Sequence, residues 1–275
     1  MKTYGLAVPI AIIGLSAIFT VHAQKPDDAV KATVFQAAGP DAASIQSTVD
    51  EFRAALGGNN GITPPGGPII AGGRREINWD GGNAGNTTTS LTPTPVLDQF
   101  LVGRGTRFTT PGSGFVQAPP AGLAAADVFN NPSYATIFRA FSPSRLFSAI
   151  GSNVTDTLFF VPGTDDVKAT TRAFGAIFSD IDLPDGGDDP SPKQGNRHAS
   201  TLIEYFDANG ELLFSSFAPS SPGDGNLSFF GIVLDDARIA RVRITSGAIP
   251  GPDDSRKRDV VMMDDFIYAE PQAIH

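Results

Sequence analysis

The residues best suited to chemistry are aspartates that crowd into one acidic segment, 180–189. Asp180 and Asp182 share one face of a predicted strand that ends here, and Asp185 stands in the Gly-rich turn that follows. Calcium takes about six to eight oxygen ligands, mostly carboxylates and backbone carbonyls. The spacing departs from an EF-hand loop, because Pro184 intrudes and no Glu closes the segment. We expect Asp180, Asp182 and Asp185 to hold a structural Ca2+; the alternative is a solvated acidic loop.

A second acidic pair, Asp264 and Asp265, interrupts an otherwise apolar run near the end of the sequence. In a regular strand the two side chains would point to opposite faces, so one of them would point inward. A buried carboxylate needs a counter-charge or a metal ion. Arg241 and Arg243, on a neighbouring alternating run, are the cationic candidates, and an ion pair is favoured over a metal.

Trp79 and Asp80 form a candidate ligand-binding pair beside two glycines. An exposed Trp offers a flat apolar face on which a sugar ring can stack, and Trp79 is the only Trp of the chain. This pair would suggest an extracellular glycan or a cell-surface component as partner. The alternative is that Trp79 fills the core between two layers.

The sequence contains little that is typical of catalytic sites, and no catalytic residue is assigned. It has no Cys, only His198 and His275 beyond residue 23, and no G-x-S-x-G, H-E-x-x-H or P-loop motif. Glycosidases need only two carboxylates, and Glu76 and Glu204 lie on predicted strands. The sequence favours a non-enzymatic binding or adhesion-type protein. A carbohydrate-active enzyme with paired carboxylates and a structural envelope or matrix protein are the alternatives.

The composition excludes several classes of protein. Of the 29 acidic residues 24 are Asp, which favours turns and caps over helices, and 30 Gly and 22 Pro favour many turns. A formal net charge of −9 opposes binding to nucleic-acid phosphates. Without Cys, the chain is neither a disulfide scaffold nor a cysteine-zinc protein.

Residues 1–23 resemble a secretory signal peptide, with Lys2 before an apolar stretch and a small residue at the expected cleavage site, Ala23. An uncleaved N-terminal anchor is the less favoured alternative, because the stretch is short for a membrane span. No later run is long and apolar enough to span a membrane. We therefore expect a secreted protein, extracellular or periplasmic.

Residues 24–70 are predicted to contain one short helix followed by a Gly- and Pro-rich linker or long loop. Apolar residues at 45, 49, 52 and 56 form one helical face, and Gly57 follows as a stop signal. Asp41 or Ser44 is positioned to cap the N-terminus of this helix.

Residues 71–275 are predicted to form a β-sandwich domain, less regular over 71–140 and with its core strands within 141–271. Six or seven short β-rich runs lie there without helices between them, and the Asn209-Gly210 dipeptide marks a hairpin. This pattern favours a mainly β, antiparallel two-sheet sandwich, with a jelly-roll topology of the lectin-like or galactose-binding-like type. Calcium is the only cofactor that the sequence suggests.

Several segments resemble a family of uncharacterised exported bacterial β-sandwich proteins, some of which carry a PEP-CTERM sorting tail. The resemblance implies export and a β-sandwich, but no reaction. This sequence stops at His275 without such a tail, so release into the periplasm or the medium is the simpler expectation. The segments are GGRREINWDGG (72–82), FSPSRLFSAIGSNVTDTLFFVPGT (141–164), FGAIFSDID (174–182), IEYFDANGELL (203–213) and DVVMMDDFIYAEP (259–271).

Overall fold

Short strands run through most of the chain that the computed structural model describes, which comprises residues 18–19, 30–81, 88–182, 200–254 and 258–274. The strands are β1 (Ile18–Phe19), β2 (Ala32–Gly39), β3 (Arg74–Ile77), β4 (Ser90–Thr92), β5 (Val96–Leu97), β6 (Thr106–Thr109), β7 (Gly114–Ala118), β8 (Leu146–Ile150), β9 (Val154–Phe159), β10 (Ala169–Thr170), β11 (Ala173–Ser179), β12 (Leu202–Phe206), β13 (Leu212–Phe217), β14 (Leu227–Leu234), β15 (Arg241–Thr245), β16 (Met262–Ala269) and β17 (Gln272–Ala273). The helices are α1 (Ala42–Leu56), α2 (Leu101–Arg104), α3 (Pro120–Leu123) and α4 (Tyr134–Ile137).

The strands form two antiparallel sheets that pack as a sandwich, which confirms the predicted fold class. Sheet A has the order β1-β2-β14-β11-β16-β8-β7-β4, with β3 also paired to β16. Sheet B has the order β13-β12-β15-β9-β6-β5, and β10 pairs with β17 separately. The jelly-roll topology stays a prediction. No helix among the described residues is long and apolar enough to cross a membrane.

The central strands of sheet A are buried on both faces, whereas sheet B has one partly exposed face. Every residue of β11 and β16 is buried, because the main core covers one face of sheet A while α1 and the segment around α3 and α4 cover the other. In β12 and β15 of sheet B, buried residues alternate with partly exposed ones. The continuous apolar runs of sheet A and the alternating runs of sheet B follow from this difference.

Helix α1 confirms the predicted N-terminal helix, and both proposed caps take part. The Ser44 amide donates to Asp41 Oδ1 at 2.9 Å, and the Asp41 amide donates to Ser44 Oγ at 3.2 Å. The apolar face of α1 packs on sheet A through Phe52, whose ring lies over a pair of facing glycines, Gly175 and Gly231. A Cβ on either glycine would lie 3.0 Å from a ring carbon of Phe52, so the glycines allow the helix to approach closely.

The segment predicted as N-terminal helix and linker belongs to the sandwich more closely than the sequence indicated. Strand β2 precedes the helix and pairs with β14 along its whole length, and the sequence did not predict it. The loop after the helix is held to the body of the protein: the Thr63 amide donates to the Gly103 carbonyl, and the Gly66 amide to the Gly163 carbonyl. This segment is therefore a loop that lies along the sandwich.

A fully buried ion pair fixes that loop. Arg75 on β3 and Glu270 after β16 form a bidentate pair, with both N–O distances 2.6 Å. The same guanidinium donates to the Gly61 and Gly103 carbonyls at 3.0 Å and to Thr63 Oγ1 at 2.8 Å. Each guanidinium nitrogen has a partner, which is the condition under which a buried charge is tolerated.

The predicted hairpin joins β12 and β13. Only Gly210 of the Asn-Gly pair has a positive φ, 84°, and the Asp207 side chain accepts hydrogen bonds from the amides of Asn209 and Glu211. The connection is therefore a longer turn that contains one left-handed residue, and the register shifts between Tyr205 and Phe206.

We predict that Asp41→Ala lowers the free energy of unfolding by about 1 kcal/mol, because it removes the side-chain acceptor of the capping box. Chemical denaturation of the two proteins measures the difference. Ser47→Ala, an equally small change at an exposed site in the middle of α1, is the control and should leave the free energy almost unchanged. Equal effects of the two substitutions would contradict the role of the cap.

Candidate functional site

Three carboxylates converge at one end of the sandwich and could hold a metal ion. Asp180 directly follows β11, while Asp254 and Asp259 belong to the connection between β15 and β16. One oxygen of each carboxylate lies within 4.8 Å of the others, and Asp180 and Asp259 are buried. We call these three residues the acidic cluster.

The backbone around the acidic cluster is closely constrained. Asp180 has a φ of 71°, a left-handed conformation that is uncommon for residues other than glycine, and its amide donates to the Asn226 carbonyl at 2.9 Å. The Asp259 carbonyl accepts from the Ala248 amide at 2.7 Å. A Cβ on Gly247 would lie 2.5 Å from that carbonyl oxygen, so only glycine fits beside Asp259. Both carboxylates thus project from backbone positions that are fixed by hydrogen bonds.

The two oxygens of Asp259 differ in a way that bears on function. Its Oδ2 accepts hydrogen bonds from the Asp182 amide, at 3.2 Å, and from the Ser200 hydroxyl. Its Oδ1 is buried and has no hydrogen-bond partner among the described residues. A buried carboxylate oxygen left in this state is costly, so the position calls for a proton or a cation.

Burial and mutual repulsion act on the acidic cluster in the same direction. Burial, reinforced by the negative charge of Asp254, raises the pKa of Asp180 to about 9. Burial also raises the pKa of Asp259 to about 7, against the opposing effect of the Ser200 hydrogen bond. No Lys or Arg of the described ranges forms an ion pair with Asp180 or Asp259. Asp180 and Asp259 therefore form a buried pair of acidic groups that repel each other when ionised.

The structure combines one predicted metal ligand with two residues that the sequence argument did not select. Asp180 is in the cluster, and Asp182 supports it through its amide, while the Asp182 carboxylate accepts from the Gly223 amide at 3.3 Å. Asp185 lies outside the described residues. Asp254 and Asp259 join the cluster because β11 pairs antiparallel with β16, which brings the end of β11 next to the chain that precedes β16. Only knowledge that β11 pairs with β16 would have identified Asp254 and Asp259 as neighbours of Asp180.

Asp264 and Asp265 do not alternate between faces as expected, because β16 contains a β-bulge at this point. Ala176 pairs with Phe266 and Phe178 pairs with Met263, so one residue of β11 faces both aspartates. Both carboxylates accordingly point to the same side of the strand, where residues 141 and 142 supply one hydrogen-bond donor to each. The Phe141 amide donates to Asp264 Oδ2 at 2.5 Å, and the Ser142 hydroxyl donates to Asp265 Oδ1 at 2.6 Å.

The ion pair expected for this acidic pair exists, but with a different arginine. Arg53 of α1 lies 3.4 Å from Asp265 Oδ2 and 2.8 Å from Glu76 Oε2. Arg241 and Arg243 instead pair with Asp156 in sheet B, at 3.2 and 2.7 Å. The wrong arginines were predicted because the sequence shows neither how α1 packs on the sheet nor how the strands divide between the two sheets.

Asp264 differs from Asp265 because no arginine of the described ranges forms an ion pair with it. Its side chain is fully buried, and Oδ1 has no hydrogen-bond partner among the described residues. Burial and the charge of Asp265 raise the pKa of Asp264 well above its usual range. Burial raises the pKa of Asp265 as well, but the Ser142 hydrogen bond and the charge of Arg53 oppose that rise. The neutral form is therefore favoured more strongly at Asp264.

Trp79 lies in the core, which corrects the expectation of an exposed platform. It is 1% exposed, its ring stacks on Phe147 with the ring centres 3.7 Å apart, and its Nε1 donates to the Asp264 carbonyl at 3.0 Å. No face of the indole is open for a sugar ring in this structure. The neighbouring Asp80 is a structural acceptor: its Oδ1 binds the Ser144 and Arg145 amides at 2.7 and 2.9 Å.

The two glutamates considered for hydrolysis lie on different sheets, Glu76 on β3 of sheet A and Glu204 on β12 of sheet B. Glu76 binds Arg53 through one oxygen and Arg74 through the other, at 2.8 and 2.6 Å. Glu204 stands opposite Arg243 in the ladder between β12 and β15. They are not arranged as a catalytic pair around one substrate bond.

The buried proton of Asp264 leads to a testable dependence on pH. Since its pKa is raised in the folded state, the protein loses stability as pH rises from about 4 towards that pKa, by up to about 1.4 kcal/mol per pH unit for one proton. We predict that Asp264→Asn lowers this slope by the contribution of one proton, because the amide keeps an acceptor for the Phe141 amide and carries no titrating proton. Asp180 and Asp259, whose pKa values are also raised, maintain the rest of the slope.

Chemical denaturation between pH 4 and 8, in the presence of a chelator, measures the slope for both proteins. Asp50→Asn, at an exposed position of α1, is the control and should keep the original slope. An unchanged slope for Asp264→Asn would show that Asp264 is ionised in the folded protein.

No protein-family model, curated protein or solved structure matches the chain. What the molecule does is therefore inferred from its own geometry, in which the acidic cluster is the arrangement best suited to binding a ligand.

Proposed function

We propose that this is an exported, non-enzymatic binding protein of the adhesion type, whose β-sandwich is stabilised by one calcium ion in the acidic cluster. The observation that carries the calcium proposal is the buried, unpartnered Oδ1 of Asp259, because one oxygen of this carboxylate lies within 4.8 Å of carboxylate oxygens of Asp180 and Asp254. A cation at this point would satisfy that oxygen and cancel the repulsion between the three groups at the same time.

The dimensions and the donor set support calcium over other metals. Two oxygens bound to the same Ca2+ at about 2.3–2.6 Å can be at most about 5 Å apart, and the cluster meets this limit. All three donors are carboxylates, which suit hard cations, whereas zinc sites are built mainly from Cys and His. Calcium also tolerates irregular coordination completed by backbone carbonyls and water, whereas magnesium demands a near-ideal octahedron.

The location of the acidic cluster supports a structural role for the ion. The cluster joins the end of β11 to the connection that leads into β16, and these two strands are neighbours in sheet A. Calcium bound here would hold the β15–β16 connection against the sheet. Extracellular modules work with dissociation constants of about 10⁻⁴–10⁻³ M, so three carboxylates suffice if the protein is exported, as its first 23 residues suggest.

Binding is favoured over catalysis because the glutamates considered for hydrolysis lie on different sheets, and Glu76 is paired with two arginines. The exposed face of sheet B offers a surface on a rigid frame. A glycan array combined with a hydrolysis screen separates the alternatives. Binding without turnover supports the proposal, turnover that is lost in Glu76→Gln or Glu204→Gln would contradict it, and silence in both screens would favour a structural envelope protein.

We predict that calcium raises the melting temperature and that a chelator reverses the effect. Saturation to about a hundred times the dissociation constant would add about 2.7 kcal/mol to the free energy of unfolding. Asp180→Asn should abolish the response without weakening the apo protein, because Asn tolerates a positive φ and replaces a buried ionisable group with a neutral one. Differential scanning calorimetry measures both effects.

Asp236→Asn is the matched control, because it removes one exposed carboxylate far from the cluster in sequence and paired with Arg238. It should keep the full calcium response. A melting temperature that calcium leaves unchanged in the wild-type protein would overturn the calcium proposal. A response of equal size in Asp180→Asn would place the ion elsewhere.

A further inference from the structure

A groove of about 330 Å3 opens at the end of the sandwich opposite the acidic cluster. Strand β12 begins beside the cluster, where Thr201 Oγ1 accepts from the Gly247 amide, and it ends at Phe206 next to the groove. The walls come from β6, β9, β15, the turn between β12 and β13, and the segment 166–169. The volume lies at the lower end of the range typical of small-molecule sites, about 300–1,000 Å3.

The register of three neighbouring strands determines the spacing of the two arginines that line the groove. Arg107, Leu158 and Arg241 stand side by side on β6, β9 and β15, so the two arginines are two strands, or about 10 Å, apart with an apolar residue between them. The next residues along β6 and β15, Phe108 and Val242, point into the core. The row of Arg107, Leu158 and Arg241 therefore faces outward, towards the groove.

Both guanidinium groups are held in position before any ligand arrives. Arg107 binds Asp98 at 2.6 Å and Asp166 at 3.3 Å, and it lies 5.0 Å from the centre of the Phe160 ring. Arg241 binds Asp156 at 3.2 Å and lies 3.9 Å from the centre of the Phe206 ring. Contacts with carboxylates and aromatic faces reduce the loss of side-chain entropy on binding.

Lys168 is the cation with the greatest freedom to bind a ligand. It is exposed at the groove and forms no ion pair with a carboxylate of the described residues. The acidic residues that line the groove are Asp166 and Asp207. The Asp207 carboxylate already accepts hydrogen bonds from the amides of its own turn. Three cationic side chains line this one groove, although the chain as a whole carries a net charge of −9.

The mixture of charges narrows the chemistry of the ligand. Arg107, Lys168 and Arg241 favour an anion, but Asp166 would repel a densely charged phosphate ligand. A carboxylate acceptor beside cations suits a ligand that carries both a negative group and hydroxyl donors. Sugar acids have this combination, and Leu158 and Phe160 offer apolar surface to the ring carbons.

We propose that the groove formed around Arg107, Lys168 and Arg241 binds a short uronic-acid oligosaccharide. Ligand carboxylates bind Lys168 and the outward edges of the two guanidinium groups, and ligand hydroxyls donate to Asp166. This rests on the proposed binding function and names its ligand class. The groove and the acidic cluster lie at opposite ends of the strands, so the two sites are tested separately.

Isothermal titration calorimetry of the full chain with trigalacturonic acid tests the proposal, with neutral galactotriose as the comparison ligand. A chelator is present throughout, since uronic acids themselves bind calcium. We expect trigalacturonic acid to bind, galactotriose to bind far more weakly, and the affinity for the acid to fall as salt rises.

Lys168→Gln should weaken binding on the order of tenfold, because it removes a charge-assisted hydrogen bond. Arg238→Gln removes the same charge at an exposed site outside the groove and should leave the affinity unchanged. Failure of trigalacturonic acid to bind, equal binding of galactotriose, or equal affinities of the two variants would each overturn the assignment. An intact calcium response in the same preparation would show that the calcium proposal survives such a failure.

Discussion

The structure depends on the burial of carboxylates along one strand. Strand β16 lies in the middle of sheet A and is covered on both faces, yet Asp264, Asp265 and Glu270 lie on it or directly after it, and Asp259 lies just before it. Each of these groups requires compensation at a place where water cannot provide it. The compensation comes from other parts of the chain: Arg75 for Glu270, Arg53 for Asp265, and the segment 141–142 for the bulged pair. Among the described residues, two buried carboxylate oxygens along this strand remain without a hydrogen bond: Oδ1 of Asp264, and Oδ1 of Asp259 in the acidic cluster.

This requirement explains why irregular segments lie against a regular sandwich. The loop after α1 is drawn in by the guanidinium of Arg75, which binds two of its groups as well as Glu270. Trp79 is tied to the same strand through the Asp264 carbonyl and fills the core beside it. Loops rich in Gly and Pro have little apolar surface with which to pack, so polar contacts to a buried strand take over that role.

Local patterns in the sequence predicted the parts of the fold that depend on neighbouring residues. The apolar spacing and the cap of α1, the turn at Asp207–Gly210 and the antiparallel sandwich follow from periodicity and turn chemistry. The bulge at Asp264–Asp265 did not follow, since alternation assumes an unbroken ladder. Two of the three residues of the acidic cluster were missed for a related reason: Asp180 lies in a dense acidic run, whereas Asp254 and Asp259 reach it only through the pairing of β11 with β16. The partner of Asp265 depends on how a helix docks, which no local pattern encodes.

The glycine pair beneath Phe52 determines where the charge of Arg53 lies relative to Asp265. Because Gly175 and Gly231 have no side chains, the Phe52 ring settles between them and sets the position of α1 along the sheet. Arg53 is the next residue of the helix, so the same fit sets the distance from its guanidinium to Asp265 and Glu76. A slip of the helix by one turn would move it by about 5.4 Å, which exceeds the reach of that ion pair. The lack of side chains at these two glycines thus fixes the position from which Arg53 neutralises Asp265, which lies 212 residues further along the chain than Arg53.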